Sequence, residues 1–209
     1  MTSKGMAEVW LMHAGGISDA VLQPFLAWLG EGEAARYQRF LRPGRQRQFL
    51  LGRILLRRAL GALLGRAPSA VCLVERRGAA PLLLLPDAAR GAPGFSLSHS
   101  GDWIACAVSA DTALGLDIEV IDPTRDIGAL SLQAFDASQL AILEPLSGQE
   151  RLLAFYRMWS EKEARYKLGA GAVPSCVVLP HASLSMLVCS ARPLAAAPEL
   201  VLSTLFGPI

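Results

Sequence analysis

The period of the hydrophobic pattern changes several times along the chain and predicts a mixture of strands and helices. Alternating apolar and polar positions are typical of strands, whereas apolar residues three or four apart are typical of helices. Strands are predicted at residues 7–12, 71–75, 114–120, 176–179 and 184–188, and a hairpin over 95–108 that turns at 100–102. Helices are predicted at residues 20–29, 127–135, 137–143 and 148–169, and as a pair within 33–64 divided at Pro43.

The predicted strand at residues 114–120 carries two acids in an otherwise apolar sequence, Leu-Gly-Leu-Asp-Ile-Glu-Val. Side chains alternate between the faces of a strand, so Asp117 and Glu119 share one face and the apolar residues share the other. Adjacent carboxylates repel each other unless water solvates them or a cation lies between them. Two interpretations stay open from this stretch alone: a metal site, and the more common exposed edge strand whose acids face water.

Composition indicates a globular protein that has no membrane span. The chain has 209 residues, of which 52% are hydrophobic, enough for the core of one large domain or two small ones. Its first residues lack the pattern of a signal peptide, and no apolar run reaches membrane-spanning length, so we expect a soluble intracellular protein. The four cysteines form no C-x-x-C pair and are predicted to be buried free thiols: Cys72, Cys106, Cys176 and Cys189.

Positive charge is concentrated in arginine, although the net charge is only +2. Lysine occurs only at positions 4, 162 and 167. Eight arginines fall in the predicted helix pair: Arg36, Arg39, Arg42, Arg45, Arg47, Arg53, Arg57 and Arg58. We expect most of them to be solvated and a minority to bind phosphate, because arginine makes bidentate contacts to phosphate. Nucleic-acid binding is disfavoured, since the net charge is near zero and no nucleic-acid motif is present.

Two further segments carry candidate chemistry. His99 lies between Ser98 and Ser100 near the predicted turn, a grouping of donors suited to an anion, although a lone histidine is more often structural. Glu163 and Lys167 lie four residues apart on one face of the predicted long helix. An ordinary Glu-Lys pair is the alternative there, but it leaves unexplained why two of three lysines fall in this segment.

In order, the basic helices are followed by F-S-L-S-H-S-G at 95–101, G-L-D-I-E at 115–119 and W-S-E-K-E-A-R-Y-K at 159–167. This combination resembles the 4′-phosphopantetheinyl transferases, specifically the larger, surfactin-synthetase-activating type, over residues 36–171. The resemblance implies an α+β fold with a pseudo-twofold arrangement of two similar halves, each a small antiparallel sheet with packed helices. The expected halves are residues 1–111 and 112–209, with coenzyme A between them.

The resemblance also implies an enzyme that transfers the 4′-phosphopantetheine arm of coenzyme A to a serine of an apo acyl or peptidyl carrier protein. The other product is 3′,5′-ADP. The implied ligands of Mg²⁺, or of Mn²⁺, are Asp117, Glu119 and Glu163. Glu163 or a metal-bound water is the expected proton acceptor, and Lys167, with Lys162 as a second candidate, is expected to neutralise the pyrophosphate.

By the same resemblance, Ser98 and His99 are expected near the 3′-phosphate of coenzyme A, and Arg36 and Arg53 near its nucleotide. Arg39 and Arg47 are weaker candidates. Trp159 is expected to pack behind the metal site. The expected protein is a cytoplasmic monomer with no nucleic-acid or membrane partner.

Two departures from the family pattern favour an alternative function. The family usually carries Gly-Lys-Pro ahead of the histidine segment, whereas this chain has Gly78-Ala79-Ala80-Pro81. Arg76 or Arg77 is the candidate to replace the missing lysine. The chain also stops soon after residues 200–206, where relatives commonly continue into another strand pair, so we expect a trimmed second half. The alternative is a catalytically weakened module that binds coenzyme A or a carrier protein.

Overall fold

The structure of the protein is a computed structural model that describes residues 6–76, 78–85, 92–169 and 174–205. It is an α+β fold, as the sequence predicts. The strands are β1 (Ala7–His13), β2 (Cys72–Arg76), β3 (Ala79–Leu84), β4 (Gly94–Ser100), β5 (Trp103–Ser109), β6 (Leu114–Val120), β7 (Ser175–Leu179), β8 (Leu184–Ser190) and β9 (Glu199–Leu202). The α-helices are α1 (Asp19–Leu22), α2 (Glu31–Gln38), α3 (Pro43–Leu64), α4 (Ile127–Ala134), α5 (Ala137–Leu143) and α6 (Gly148–Leu168), and short 3₁₀ helices cover Gln23–Trp28 and Pro68–Ala70.

The first sheet has the strand order β4-β5-β1-β9. Strands β4 and β1 flank β5 in antiparallel pairing, and β9 runs parallel to β1. The long helix α3 covers one face of this sheet, and several of its leucines, including Leu51, Leu55 and Leu56, are fully buried there. A separate two-stranded hairpin of β2 and β3 lies outside the sheet.

The second sheet has the order β6-β8-β7 and is antiparallel throughout. Helix α6 packs on it much as α3 packs on the first sheet. The other face shares a core with the first sheet, a cluster of buried residues that includes Leu116, Ile118, Val9 and Ala107. The apolar side chains of β6 therefore pack between the two sheets, and the acidic face of β6 turns toward α6.

Three serines of β4 also connect the sheets, and we call Ser96, Ser98 and Ser100 the serine ladder. Their hydroxyl oxygens accept hydrogen bonds from the backbone N–H groups of Leu116 (2.9 Å), Ile118 (3.2 Å) and Val120 (3.0 Å), respectively. Every second residue of β4 is a serine, and every second residue of β6 offers its N–H to one of them. Serine hydroxyls of β4 therefore take the place of the backbone carbonyls that would accept these bonds in an ordinary pair of strands.

Most predicted elements are confirmed, with informative exceptions. Pro43 stands at the first position of α3, where its missing N–H costs nothing, which explains the division of the basic segment into two helices. The predicted helix at 20–29 is α-helical only through Leu22, and continues as a 3₁₀ helix that has Pro24 in its first turn. Strand β9 was not predicted, and it pairs with β1 although it belongs to the second half of the sequence. The division at 111/112 and the pseudo-twofold relation stay predictions.

The prediction of four buried free thiols is wrong for three of the cysteines. Cys176 and Cys189 form a disulfide between directly paired positions of β7 and β8, and Cys72 is exposed. Cys106 is a buried free thiol, and burial raises its pKa. Sequence spacing did not reveal the disulfide because the register of β7 and β8 is what brings the two sulfurs together.

Among the described residues, every helix is too short or too polar to cross a membrane.

Candidate active site

Strand β6 is enclosed on all sides, so the interpretation of an exposed edge strand is wrong. Strand β8 pairs with one edge, the serine ladder covers the other, and α6 lies across the acidic face. The approach of α6 is close enough that a Cβ on Gly115 would lie 1.9 Å from the carbonyl oxygen of Ala164. Gly115 is thus the position that lets the helix reach the acids of the strand.

Asp117 is buried, with only 4% of its surface exposed. Its Oδ1 accepts hydrogen bonds from Ser98 Oγ at 3.1 Å and from Lys167 Nζ at 2.8 Å, whereas its Oδ2 is buried without a hydrogen-bond partner. A buried carboxylate oxygen without a partner is costly in a folded protein. A cation at Oδ2 would satisfy it, so this residue fits the metal that the sequence predicts.

Glu119 lies beside Asp117 and is half-buried. Its Oε2 accepts a hydrogen bond from Ser100 Oγ at 2.8 Å. Burial has the largest effect on the pKa of Glu119 and raises it; the hydrogen bond from Ser100 lowers it, the negative charge of Asp117 raises it by less, and the net pKa is above its usual value. Two partly desolvated carboxylates of like charge are the environment in which a divalent cation stabilises the ionised forms.

Glu163 is half-buried on α6 and makes no hydrogen bond or ion pair with any described residue. The ordinary Glu163–Lys167 pair is therefore not formed, because Lys167 reaches across to Asp117 and to the carbonyl oxygen of Leu116 (3.0 Å). Within the described part of the chain, no group of three or more His, Cys, Asp or Glu side chains is assembled closely enough to hold a metal. Magnesium usually needs only one or two carboxylates, together with water and substrate phosphate oxygens.

The two lysines of α6 point to different places. Lys167 is at the acidic pair, with 28% of its side chain exposed. Lys162 is exposed and donates to the carbonyl oxygen of Ala134 at the end of α4. Five residues correspond to about 140° around a helix, so the two side chains cannot share a site by helical spacing. The structure does not bring Lys162 to Asp117.

Trp159 is half-buried one turn before Glu163. Its ring packs against Phe155 with centroids 5.9 Å apart, and the guanidinium of Arg125 lies 5.9 Å from its centre. A hydrogen bond from Trp159 is among the effects that lower the pKa of Glu119, against the larger effect of burial. Trp159 therefore lies next to the acidic pair.

Two adjoining cavities bring the predicted arginines to the same region. A cavity of about 210 Å³ is lined by residues that include Arg45, Ser98 and His99, and one of about 610 Å³ by residues that include Ala80 and Lys167. Arg36 and Arg53 line both cavities. A continuous basic surface therefore extends from the β2–β3 hairpin to the lysine beside Asp117.

His99 is next to a cation. Its Nε2 lies 3.3 Å from Nη1 of Arg45, and because a guanidinium only donates, the ring nitrogen accepts. Partial desolvation of the ring by neighbouring protein atoms, followed by the charges of Arg45 and Lys167, lowers the pKa of His99, although the residue as a whole is exposed. The ring is thus held neutral at neutral pH in a region of excess positive charge, which suits an incoming anion.

Ser98, which is predicted near the 3′-phosphate of coenzyme A, already has protein partners for its hydroxyl. It is buried, and its hydroxyl already accepts from Ile118 N–H and from Lys167 Nζ (2.9 Å) and donates to Asp117. One hydroxyl offers one hydrogen and two lone pairs, so these three bonds use its full capacity. A phosphate would reach this hydroxyl only by replacing one of them.

Two arginines expected to be solvated, Arg57 and Arg58, are buried instead, and Arg53, which is predicted near the nucleotide, is buried as well. Arg57 pairs with the fully buried Glu33 through both terminal nitrogens, and Arg58 donates to the carbonyl oxygens of Thr204 and Leu205, both at 2.6 Å. Sequence reasoning missed this arrangement because nothing in the spacing distinguishes a buried arginine from a solvated one.

Glu75, near the end of β2, binds the two arginines that line both cavities, and sequence reasoning did not identify it. It accepts from Arg36 Nη1 at 2.6 Å and from Arg53 Nη2, while Arg53 Nε lies 2.9 Å from Glu33 Oε1 as an ion pair without hydrogen-bond alignment. The two arginines predicted near the nucleotide are thus held by buried or half-buried acids.

The structure also shows the surroundings of Ala80, the position at which the family pattern has a lysine. Ala80 is exposed in β3 and lines the larger cavity, and its carbonyl oxygen accepts from Arg76 Nε at 2.8 Å. Arg77, the other candidate to replace the lysine, lies outside the described residues.

Known sequences agree with this site. The sequence model of the 4′-phosphopantetheinyl transferase superfamily matches residues 113–178, which include β6 and α6. The chain is 33% identical to the 4′-phosphopantetheinyl transferase AcpT of Salmonella typhimurium over 175 residues, covering 77% of this chain and 85% of AcpT. It is 34% identical to the 4′-phosphopantetheinyl transferase HetI of Nostoc sp. over 149 residues, covering 71% of this chain and 62% of HetI. A third relative, the 4′-phosphopantetheinyl transferase psf-1 of Bacillus pumilus, is 32% identical over 70% of this chain and 59% of its own length.

The chain thus spans less than two thirds of the length of HetI and psf-1 but most of AcpT. Together with the paired acids of β6 and the lysine of α6, these matches establish that the chain belongs to the 4′-phosphopantetheinyl transferase superfamily.

Proposed function

We propose that this protein transfers the 4′-phosphopantetheine arm of coenzyme A to a serine of an apo acyl or peptidyl carrier protein and releases 3′,5′-ADP. The observation that carries the proposal is the buried, unpartnered Oδ2 of Asp117 beside Glu119 and Lys167. A site that is only structural has no reason to leave a buried carboxylate oxygen unsatisfied at the edge of a basic cavity.

Magnesium is the metal we propose for this site, and manganese suits the same oxygen ligands. Asp117 and Glu119 would hold the ion, with Glu163 as the third carboxylate, and it would neutralise charge on the pyrophosphate. The rest of the mechanism follows from the residues of the chain.

Lys167 has two tasks in this proposal. Its bonds to Asp117 and to the carbonyl oxygen of Leu116 fix the ammonium group, and its exposed part lines the larger cavity. A fixed cation at that place stabilises the negative charge that develops on the departing phosphate.

Glu163 is the proposed proton acceptor. Its carboxylate makes no bond to a described residue, so it is available for the hydroxyl of the carrier serine. The serine oxygen forms a bond to the phosphorus that bears pantetheine. The bond from that phosphorus to the oxygen of 3′,5′-ADP breaks, its electron pair leaves with 3′,5′-ADP, and the serine proton passes to Glu163.

We place the nucleotide part of coenzyme A in the basic cavities. The side chain of Arg36 is 43% exposed and bound to one acid, Glu75, so part of its guanidinium is accessible to a phosphate, whereas Arg53 is 6% exposed and held by two acids. His99 and Arg45 are proposed for the 3′-phosphate. Ser98, whose hydroxyl is saturated, supports this region by holding Asp117 and Lys167 in place.

The alternative is a module that binds coenzyme A or a carrier protein with weakened transfer. The observation that favours it is the exposed Ala80 on the wall of the larger cavity, at the place where the family pattern has a lysine. A cytoplasmic monomer with no nucleic-acid or membrane partner remains our proposal for location and assembly.

Intact-mass spectrometry of apo carrier domains tests the function. Incubation with the protein, coenzyme A and Mg²⁺ is expected to add one phosphopantetheine arm, and a chelator is expected to prevent the addition. Glu163→Gln is expected to abolish transfer, while Glu161→Gln on the same helix is the matched control and is expected to retain it. If several carrier types gain no mass while coenzyme A still binds, the alternative replaces this proposal.

A further inference from the structure

The serine ladder makes the same set of bonds at two successive positions. Ser98 accepts from the N–H of Ile118 and donates to Asp117, and Ser100 accepts from the N–H of Val120 and donates to Glu119. Each serine therefore binds one backbone N–H of β6 and also the carboxylate of the β6 residue that comes just before that N–H.

The direction of these bonds is fixed by the inventory of donors. A backbone N–H and an ammonium only donate, so the serine oxygen accepts from both, and its single hydrogen is left for the carboxylate. Ser98 accepts from Ile118 and Lys167, and Ser100 accepts from Val120. Ionised carboxylates only accept, which agrees with serine as the donor in both cases.

The ladder binds one defined oxygen of each acid. For Asp117 this is Oδ1, shared with Lys167, and Oδ2 is the buried oxygen that has no partner. For Glu119 it is Oε2. A carboxylate fixed through one oxygen has a defined rotamer, so its other oxygen has a defined direction.

We propose that Ser98 and Ser100 are positioning residues that hold Asp117 and Glu119 with one oxygen each directed at the cation. This inference rests on the proposed function, because it assumes the cation that the acids would bind. It assigns to both serines a role at the metal, and for Ser98 that role takes the place of a direct phosphate contact.

The chain itself supplies a matched control. Ser96 accepts from the N–H of Leu116 as the other two serines accept from their partners, but the residue before Leu116 is Gly115, which has no carboxylate. Ser96→Ala therefore removes one connection between β4 and β6 and leaves the acids untouched. Ser98→Ala and Ser100→Ala remove the same connection and the bond to an acid.

The test measures metal affinity and stability on the full chain. Free Mn²⁺ is followed by electron paramagnetic resonance during titration with each variant at a constant concentration of coenzyme A, with a blank of coenzyme A alone. Ser98→Ala and Ser100→Ala are expected to weaken Mn²⁺ binding by about 10- to 100-fold. Ser96→Ala is expected to bind Mn²⁺ as the unchanged protein does. All three are expected to lower the thermal midpoint, least for Ser96→Ala, which loses one hydrogen bond, and more for Ser100→Ala and Ser98→Ala, which lose two and three.

Ser100→Ala is the more selective variant, because Ser100 has no bond to Lys167. If Ser98→Ala and Ser100→Ala bind Mn²⁺ as Ser96→Ala does, the serines only connect the strands and the inference is wrong while the proposed function stands. If the unchanged protein binds no Mn²⁺, both the metal site and the inference are overturned.

Discussion

The acids of two regions of the molecule differ in how completely they are paired. Beside the basic helices α2 and α3, Glu33 and Glu75 are paired with three arginines, and Glu33 is fully buried. Between β6 and α6, Asp117 is paired with Lys167 through one oxygen but keeps the other buried without a partner, and Glu163 has no partner among the described residues.

This difference separates charges that build the fold from charges that act on a ligand. A buried or half-buried acid whose two carboxylate oxygens both have partners, such as Glu33 or Glu75, holds segments together and has little capacity left for a substrate or a cation. An unsatisfied carboxylate destabilises the free protein and is retained where a ligand completes it. Arg36 combines both properties, because it is paired with Glu75 but is exposed enough to contact a ligand.

The largest effect is expected from breaking the buried network. Glu33→Ala leaves Arg57 buried without its partner and also removes the hydrogen bond that Glu33 Oε2 accepts from the N–H of Gly30 at the start of α2. We expect a loss of about 3–5 kcal/mol in the free energy of unfolding, measured by urea denaturation. Glu31→Ala, an exposed acid on the same helix, is expected to change stability by less than about 0.5 kcal/mol. Equal losses for both variants would contradict the conclusion that Glu33 stabilises the fold through its buried ion pairs.

The next effect concerns catalysis rather than stability. Asp117→Asn keeps the size of the side chain and removes the charge at the unpartnered oxygen. We expect the transfer rate to fall on the order of 10²–10³-fold, as for the loss of one preorganised electrostatic contact in an active site. Its unfolding free energy is expected to change far less than that of Glu33→Ala. Near-normal transfer by the variant would remove Asp117 from the active site.

A smaller effect on substrate binding is expected at Arg36. Arg36→Ala removes a charged donor from the wall of both cavities, and charge-assisted hydrogen bonds contribute about 1.5–3 kcal/mol, so KM for coenzyme A is expected to rise about tenfold or more. Transition-state contacts remain, so kcat is expected to change less. Arg42→Ala, an exposed arginine just before α3, is the control. A KM for coenzyme A equal to that of the control would exclude Arg36 from the site.

The smallest effect is the contribution of Glu75 to the pH dependence of stability. Burial acts to raise the pKa of Glu75, but hydrogen bonds and charges of Arg36 and Arg53 outweigh it, and the net pKa is below its usual value of 4.5. A lowered folded-state pKa stabilises the fold above the usual value and loses that contribution as pH falls through the folded-state pKa. Urea midpoints between neutral and acid pH are expected to fall less steeply for Glu75→Gln than for the unchanged protein. Identical slopes would show that Glu75 does not contribute this linkage.

The sequence predicted the elements better than their environments. The alternation over residues 114–120 correctly placed Asp117 and Glu119 opposite the apolar core residues, and Pro43 correctly divided the basic helices. Periodicity fixes the face on which a side chain lies, but it does not determine what covers that face. The enclosure of β6, the burial of Arg57 and the disulfide of Cys176 therefore had no local signal.

The contacts of individual residues were likewise not predictable from local sequence. Lys162 and Lys167 belong to one sequence motif, but they lie on different sides of α6. Lys162 therefore binds the carbonyl oxygen of Ala134, and Lys167 binds Asp117. Glu75 was missed because one acid at the end of a strand is ordinary in sequence, and its two arginine partners come from α2 and α3.

The sequence by itself determined the superfamily, the α+β class and the residue types available for chemistry, because these depend on local periodicity and on motifs a few residues long. Tertiary structure decided which charges are paired and which are left for a ligand. That division depends on long-range contacts, such as those from Ser98 to Asp117 and from Arg53 to Glu75, which close only when the sheets and helices pack.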